Sequence, residues 1–537
     1  MATETFTTFT DKRKKIADVI YSAGLFLLVT GLPLSMFLMS VSQFVLIGSW
    51  LIDGDYKNKL RRFFTNKVCL SLCAFYVIHL VGLFYTTDFD YAMRDLRIKL
   101  PLVILPLIIF TSTPLSFQKF IMVMKVFVLA CLISSLISTG VWLQLIHVHK
   151  PINDIRDISI FISHIRLSLL ICIAMFACGY FVLILDKNIL TKAIHIALIA
   201  WFIIFLIILQ SLTGLIVGSI ALIALAIQYL MNQRKYALVL MIGLFLSGGF
   251  YLLYNYTNKQ IKSLRTEELV DLTNLPKTTS RGNLYQHELK AGDLENGHRI
   301  YLFVCESELR EEWNKRSKIS FDSLDKRKQY VMYTLIRYMT SKGLRKDADG
   351  MMQLTAQDIT YVENGIGSIN EFTQTGIEER IESTIWELNN YIEGGDPGGH
   401  TLSMRFEFWK ASVSIIKQNL LFGVGTGDNQ LVLNNYYETH HTRLSKQWWL
   451  RSHNQFLAIG ISFGLVGVTL FLLSHLYPVT KLKMYSDYFY FTFFVIAMLS
   501  FLTEDTLETQ AGVTFFAFFN SFFLFSRTPP PKNNKDL

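Results

Sequence analysis

The sequence predicts an all-α polytopic membrane protein of about twelve transmembrane helices, with a small α+β domain inserted before the tenth span. Hydrophobic residues make up 51% of the 537 residues, and the mean hydropathy is +0.34. A water-soluble chain cannot bury that much apolar surface. Apolar runs near the roughly 20 residues that cross a bilayer also recur along the chain, for example at 167–185 and 213–230.

Each apolar run of membrane length is assigned as a span. The predicted spans lie near residues 17–33, 35–52, 68–85, 99–112, 118–146, 164–186, 192–210, 212–230, 236–254, 453–476, 487–503 and 511–526. The basic run at 11–15 leads into the first span without a small-residue cleavage site, so we expect no cleavable signal sequence.

Lysine and arginine are concentrated in alternate short loops, and this asymmetry predicts the orientation. The N-terminal segment has four basic residues in a row at 12–15, and the next loop on the same side has five between 57 and 67. Such loops stay in the cytoplasm, so both termini are predicted to be cytoplasmic and residues 256–452 periplasmic. The net charge of +9 is largely explained in this way, and no nucleic-acid partner is needed.

The long hydrophilic stretch divides the chain into five regions. They are an N-terminal membrane domain of about nine spans (1–255), an α+β insertion (256–400), membrane-proximal helices (401–452), a C-terminal membrane domain of about three spans (453–526) and a Pro-rich, disordered cytoplasmic tail (527–537). Within the insertion, we predict strands at 281–290 and 299–307 and helices at 325–343, 355–365 and 377–395. Another helix is predicted at 401–419.

A polar group at the mouth of the tenth span is the first candidate site. Arg451, His453 and Asn454 come directly before an apolar run that contains Gly464 and Gly467. Histidine, with an ordinary pKa near 6.5, is a natural general base at neutral pH, and glycines let a neighbouring helix approach closely. The alternative is that His453 only caps the helix, although histidine is not a preferred cap.

Other charged residues beside the membrane have two interpretations each. Arg166 begins a span and either contacts a phosphate or reaches the interface as a snorkelling side chain. Arg94 and Arg97, with Lys99, either bind an anionic headgroup or belong to an interfacial helix. Glu504 and Asp505 either bind sugar hydroxyls and orient an imidazole, or are solvated in a loop.

Two further signals are weak. The glycine-rich stretch at 423–428 lacks the Lys-Ser/Thr of a phosphate loop and predicts a flexible turn. His440, His441 and His453 have no acidic partner at ligand spacing along the sequence, so we predict no metal site.

The polar mouth also carries a family signature. His453-Asn454, nine further residues and then Gly464-x-x-Gly467 resemble the HN-x9-GxxG pattern of the O-antigen ligase and O-antigen polymerase superfamily. The large outer segment with "MRFEFW" near its end, the "GVGTGD" turn and the two spans after the motif match the same layout. The insertion at 262–395 resembles that of Bacteroidetes-type members.

This resemblance implies a GT-C-type glycosyltransferase of the bacterial inner membrane that needs no cofactor. It implies transfer of a glycan from undecaprenyl pyrophosphate to an acceptor, most often lipid A-core, with His453 and Arg405 in the positions of essential residues. Many members have an arginine in an SR-S/T-G turn between two spans, where this chain has Leu212. Arg166 or Arg94 is then the candidate replacement.

The chemistry explains these residue types. The pyrophosphate leaving group needs charge stabilisation, which arginines supply, and the attacking hydroxyl needs a base. One direct attack inverts the anomeric centre and requires neither a covalent intermediate nor a metal. A polymerase and a protein O-oligosaccharyltransferase remain alternatives. A flippase for lipid-linked glycans is a further one, although the spans are nearly free of charge.

Overall fold

The computed structural model describes residues 2–148, 155–265, 274–288, 294–327, 329–369, 377–392, 394 and 396–527. They form two compact units. The first comprises residues 1–236, 405–442 and 446–537, and the second comprises 237–404 and 443–445. The predicted disordered tail lies outside the described residues except for Arg527, whose backbone bridges to Leu115 and whose guanidinium bonds to Asp487.

Helices dominate the first unit. They are α1 (Ala2–Leu34), α2 (Met36–Asp53), α3 (Tyr56–Thr65), α4 (Lys67–Val81), α5 (Phe89–Lys99), α6 (Pro101–Thr111), α7 (Phe117–Trp142), α8 (His164–Tyr180), α9 (Ile189–Ile208) and α10 (Leu212–Asn232). α11 (Tyr236–Arg265) leads into the second unit.

The second unit contains a two-stranded antiparallel hairpin, β1 (Leu294–Glu295) and β2 (His298–Arg299), and short helices. The helices are α12 (Glu306–Arg316), α13 (Val331–Ser341), α14 (Ala348–Met352), α15 (Ala356–Glu363) and α16 (Ile377–Ile392). From Arg405 onward, apart from residues 443–445, the chain belongs to the first unit again. The helices of this last part are α17 (Thr401–Gln418), α18 (Asn429–Thr439), α19 (Gln455–Lys481), α20 (Tyr488–Thr503) and α21 (Gln510–Phe525).

Among the described residues, nine helices are long and apolar enough to cross a membrane. They coincide with nine of the predicted spans, which confirms an all-α multi-pass membrane protein. The other three predicted spans correspond to α6, of 11 residues, and to α20 and α21, of 16 residues each. The count of twelve therefore stays a prediction.

The short helix α21 lies in the middle of the first unit. All residues from Ala511 to Phe523 are buried, so its whole circumference faces protein. Phe515, Phe516, Phe519 and Phe523 pack with Phe493 of α20 at ring-centroid distances of 5.8–6.0 Å. A helix that is apolar on all sides belongs in a core. Because protein covers it, its apolar length need not match the thickness of the bilayer.

The second unit has its own small core. Trp313 of α12 is fully buried, and its Nε1 donates to the carbonyl of Ile319 at 2.7 Å. Among the described residues, the predicted strands meet at a bridge between Gln286 and Val304 and at a backbone hydrogen bond from Glu288 to Tyr301, and the two-residue ladder lies at the turn between them. The helix predicted at 325–343 is shorter in the structure, where it is α13 and covers Val331–Ser341.

Candidate active site

The backbone of the polar mouth fixes the position of His453. Asn454 caps α19, because its side chain accepts from the amide of Leu457 at 3.1 Å and donates to the carbonyl of Leu502 at 2.9 Å. The helix therefore begins at Gln455, and the interpretation of His453 as the cap is wrong. His453 instead has φ +46°, a left-handed conformation that is uncommon outside glycine. Such strain is typical of residues whose placement serves a site.

Glu504 joins the imidazole of His453 to the guanidinium of Arg405. Its Oε2 lies 3.3 Å from His453 Nδ1, and its Oε1 accepts from Arg405 Nη2 at 2.6 Å. Glu504 ends α20, while Arg405 lies in the first turns of α17. One turn further, Trp409 Nε1 donates to the carbonyl of Ser452 at 3.1 Å and fixes the segment before His453. The carboxylate thus touches both residues that the sequence singled out.

Asp505 and Arg451 form a second pair beside the first. Arg451 Nε lies 3.1 Å from Asp505 Oδ2, and Asp505 Oδ1 lies 3.9 Å from His453 Nδ1. Asp505 is 2% exposed and the Glu504 side chain 13% exposed. The solvated-loop interpretation of these two acids is therefore wrong.

A buried lysine ties this acidic loop to α5. Lys99 Nζ contacts Asp95 Oδ1 at 2.5 Å and Glu508 Oε2 at 2.8 Å. Glu508 Oε1 accepts from Gln455 Nε2 at 3.0 Å, and Gln455 Oε1 accepts from the amide of Leu507 at 2.7 Å. Lys99 is fully buried, so it does not take part in an exposed basic patch with Arg94 and Arg97, as the sequence had suggested.

The charges of the loop are set by burial and by these partners. For Glu504, burial opposes ionisation, but His453, Arg405 and Arg166 hold its pKa below the ordinary value. Burial raises the pKa of Asp505 in spite of Arg451. Burial likewise raises the pKa of Asp95 to about 6, whereas Lys99 and Arg451 overcome burial and lower the pKa of Glu508 to about 2. Glu504 and Glu508 are thus carboxylates at neutral pH.

Arg166 lies in the first turn of α8 and faces the same acids. It interacts electrostatically with Glu504 and Asp505. Its Nη1 donates to Ser163 Oγ at 3.1 Å, while its buried Nε has no hydrogen-bond partner among the described residues. Leu212 begins α10 beside this turn, since Ser211 Oγ donates to Ser168 Oγ at 2.8 Å. Arg166 thus lies on the helix that contacts the start of α10, and its role as a replacement for the arginine at 212 stays a prediction.

The remaining candidates lie in different surroundings. Arg94 is exposed, with its guanidinium 5.1 Å from the ring centroid of Tyr91. Arg97 is also exposed, and none of the described contacts joins it to the His453 cluster. Both lie on helix α5, and a helix is what the interfacial-helix interpretation of these two arginines requires.

The two motif glycines serve a different purpose from the expected helix packing. Gly464 has φ +59° and interrupts α19, and a Cβ there would lie 2.4 Å from the backbone carbon of Leu421. The amide of the following residue, Leu465, donates to the carbonyl of Leu420 at 2.8 Å. A loop after α17 therefore makes the close approach. At Gly467 a Cβ would meet Phe463 of the same helix at 2.2 Å.

The glycine-rich turn at 423–428 supports this loop through hydrogen bonds to neighbouring parts of the protein. The amides of Val424 and Gly425 donate to carbonyls of α19 at 2.9 Å. Asp428 accepts from the amides of Thr87 and Asp88 at 2.8–3.0 Å. These bonds make the turn a packed connection, so its predicted flexibility is not what the structure describes.

His453, Glu504 and Asp505 are close enough to offer three ligand atoms to a cation, all within 4.8 Å of one another. The spacing argument against a metal was therefore incomplete, because the acids come from a distant part of the sequence. Arg405 pairs with Glu504 and Arg451 pairs with Asp505, so both carboxylates already have a cationic partner. The expectation of a reaction without a metal ion stays a prediction.

Sequence reasoning missed Asp95, the buried ion pairs of Lys99 and the linking role of Gln455. Lys99 and Asp95 are four residues apart in an amphipathic segment, a spacing that places both on one helix face. That spacing was the available signal for the Asp95–Lys99 ion pair. The second partner of Lys99, Glu508, is 409 residues away in the sequence and gave no such signal.

The comparisons with known proteins concern the same region. No curated protein matches the chain. A family model described as O-antigen ligase matches residues 361–472, a segment that includes Arg405, His453 and both motif glycines. This match confirms the resemblance of the chain, over residues 361–472, to the O-antigen ligase superfamily.

Proposed function

We propose that the chain is a ligase-like glycosyltransferase that moves a glycan from undecaprenyl pyrophosphate to an acceptor, most simply lipid A-core. Members of the matched family are glycosyltransferase-like enzymes that act on lipid-linked glycans. The observation that carries the proposal is Glu504, which contacts both His453 and Arg405. One carboxylate thereby connects a candidate base with a candidate phosphate ligand.

His453 acts as the general base through its Nε2. An ionised Glu504 can only accept a hydrogen bond, so Nδ1 of His453 carries the proton in their contact. This leaves the Nε2 lone pair free to take the proton of the attacking hydroxyl. Glu504 also stabilises the imidazolium that forms. The ring packs against Phe408 at a centroid distance of 5.7 Å, which restricts its orientation.

Arginines stabilise the leaving group. The hydroxyl oxygen attacks the anomeric carbon, the bond from that carbon to the pyrophosphate oxygen breaks, and its electron pair leaves with the lipid pyrophosphate. Arg405 and Arg166 are the proposed ligands of that developing charge, Arg166 because its buried Nε has no partner among the described residues. Asn454 and Arg451 complete the substrate contacts. Attack opposite the leaving group inverts the anomeric centre.

The proposed location is the bacterial inner membrane, with residues 256–452 in the periplasm. Cys305 tests the orientation, because it is the one cysteine of the sequence in that stretch. It is buried, so it must be labelled after mild unfolding, in a variant without the other cysteines. Labelling by an impermeant thiol reagent from the periplasmic side is expected, and labelling only from the cytoplasm would overturn the topology.

The catalytic test compares His453→Ala with His440→Ala in purified protein with a lipid-linked donor and EDTA. His440 is exposed and stacks on Tyr436, so its loss should leave transfer unchanged. Loss of a general base typically lowers the rate by about 10²–10⁴, with donor binding retained. Full activity of His453→Ala would rule out His453 as the base, and abolition of wild-type transfer by EDTA would rule out a metal-free reaction.

Deletion of the gene then identifies the reaction. Loss of all long glycan chains from lipopolysaccharide, with accumulation of lipid-linked polymer, is expected of a ligase. If the lipopolysaccharide core of the deletion strain carries a single repeat unit, the protein is a polymerase. If only glycoproteins change, the protein is a protein O-oligosaccharyltransferase.

A further inference from the structure

A cavity of about 260 Å³ lies directly beside the candidate active site, within the first unit. Arg451 lines this cavity and at the same time pairs with Asp505, which faces His453. Glu508 of the acidic loop lines it too. Two side chains, Arg451 and Asp505, therefore connect the cavity with the proposed base.

The other walls of the cavity are formed by side chains of α5 and α18, namely Tyr91, Arg94, Asp95, Ile98 and Gln430. The proposed mechanism gives most of these side chains no role. Gln430 Nε2 donates to Asn434 Oδ1 at 2.9 Å, which orients its amide. Arg94 lies over Tyr91 and is exposed, so its guanidinium is accessible from outside.

The polar lining discriminates between the parts of the two substrates. Arg94 and Arg451 provide donors, while the carboxylates of Asp95 and Glu508 and the Oε1 of Gln430, whose Nε2 already donates to Asn434 and to the carbonyl of Trp449, provide acceptors. A pyrophosphate only accepts hydrogen bonds, so it could use the arginines but none of the acceptors. Sugar hydroxyls both donate and accept, so a sugar ring can use both kinds of group.

Charge and size agree with this choice. Lys99 binds one oxygen of each carboxylate, so it fixes both carboxylates in the cavity wall and offsets part of their charge. Pockets for drug-sized ligands measure about 300–1,000 Å³. The cavity is slightly smaller, which suits one monosaccharide unit and excludes a whole oligosaccharide repeat.

We propose that this cavity binds a sugar unit of the acceptor glycan. The inference rests on the proposed function for the direction of transfer, but the cavity itself can be tested separately. Bound there, the sugar would hold the acceptor glycan beside the candidate active site, while the donor pyrophosphate is held by Arg405 and Arg166.

The test fills the cavity and leaves the catalytic residues intact. Ile98→Trp adds bulk at the wall, and Gln430→Ala removes an acceptor. Met93→Trp is the matched control, since Met93 is 55% exposed on the same helix and does not line the cavity. The purified full chain is assayed in nanodiscs with lipid-linked glycan as donor and with core glycolipid, extracted from a deletion strain, as acceptor.

For Ile98→Trp, we expect the acceptor KM to rise at least tenfold, with a donor KM within twofold of wild type. Gln430→Ala should raise the acceptor KM by a smaller factor, and Met93→Trp should change neither constant. An increase confined to the donor KM, or no change, would overturn the proposal. Gln430→Ala decides the matter if Ile98→Trp does not fold.

Direct binding separates the two proposals. Fluorescent core glycolipid is titrated onto wild type and Ile98→Trp without donor. If wild type binds it, Ile98→Trp does not, and neither transfers glycan, then the proposed function fails and the acceptor cavity stands. If wild type transfers glycan and Ile98→Trp binds and transfers equally well, the cavity proposal fails and the function stands. Absence of both binding and transfer in wild type overturns both.

Discussion

Replacement of Lys99 by methionine should damage both folding and transfer. Lys99 is fully buried and contacts two carboxylates, at 2.5 Å on Asp95 and at 2.8 Å on Glu508. Methionine keeps much of the length of the side chain but removes the charge. The two acids would then repel each other within a protein interior, and Glu508 would no longer be held in its place against Gln455.

The magnitude follows from the burial of the partners. Removal of one member of a buried ion pair typically costs about 3–5 kcal/mol, because the other member stays buried without compensation. Here two carboxylates lose the same cation, so the upper part of that range is expected at pH 8. The acidic loop carries Glu504 and Asp505, and a displacement of about 1 Å at such a site can lower a rate about 10²-fold.

The stability deficit of Lys99→Met should depend on pH. Without the cation, the pKa values of both buried acids in the folded state lie above those in the unfolded state. The folded variant then binds more protons than the unfolded chain, so its stability rises as the pH falls. The deficit against wild type should therefore be smaller at pH 5 than at pH 8.

Thermal unfolding in detergent, followed by in vitro glycan transfer, measures both effects. The double variant Asp95→Asn, Lys99→Met removes the cation together with one of its two acids and should recover most of the stability. Lys57→Met, which affects an exposed lysine, serves as the control. A Lys99→Met protein within about 1 kcal/mol of wild type at pH 8, with normal transfer, would refute the reasoning.

Three further predictions concern other parts of the chain. Arg405→Lys should transfer glycan nearly as poorly as Arg405→Ala, because lysine lacks the planar fork for phosphate; near-normal transfer would mean that only charge is needed there. Burial lowers the pKa of Lys346 to about 8, so wild-type stability should rise as the pH increases from about 8 to 10.5. At pH 7, Lys346→Met should be more stable than wild type by up to about 3 kcal/mol, and this difference should largely disappear near pH 10. The temperature at which buried Cys305 reacts with a thiol reagent measures the stability. Gly464→Ala should cost about 2 kcal/mol or more in thermal unfolding, given its positive φ and the carbonyl of Leu421 in the way.

The membrane helices were predictable because their signal is local. A run of about 20 apolar residues is sufficient evidence of a span, and nine such runs correspond to long helices among the described residues. The helices α6, α20 and α21 are shorter than a span needs to be, and nothing in the sequence distinguishes an apolar helix covered by lipid from one covered by protein. That distinction depends on contacts such as those of Phe493 with α21.

The site was predictable only where its residues form a motif. His453 and Arg405 were identified from a pattern of neighbours, and both lie in the matched family region. Glu504 comes 51 residues after His453, and Lys99 comes from near the start of the chain. Pairings at such separations have no signature in one sequence, because they arise from the packing of whole helices.

Glu504 is shared by the proposed base and the proposed phosphate ligand, which makes the two functions dependent on each other. In the structure, Arg405 neutralises Glu504 at 2.6 Å while His453 Nδ1 lies at 3.3 Å. A pyrophosphate that attracts Arg405 would leave the negative charge of Glu504 to His453, and this charge would stabilise the imidazolium formed during proton transfer. Donor binding would then improve the base.

A double-mutant cycle measures this dependence. Arg405→Gln and Glu504→Gln should each lower kcat strongly, and Glu504→Gln should lower kcat by a larger factor in the Arg405→Gln background than in wild type, since without Arg405 the whole charge of Glu504 supports His453. The non-additivity should exceed about tenfold in rate, near the middle of the range for residues in direct contact. If the two losses multiply instead, Arg405 and Glu504 act independently, and Glu504 serves only to orient the imidazole of His453.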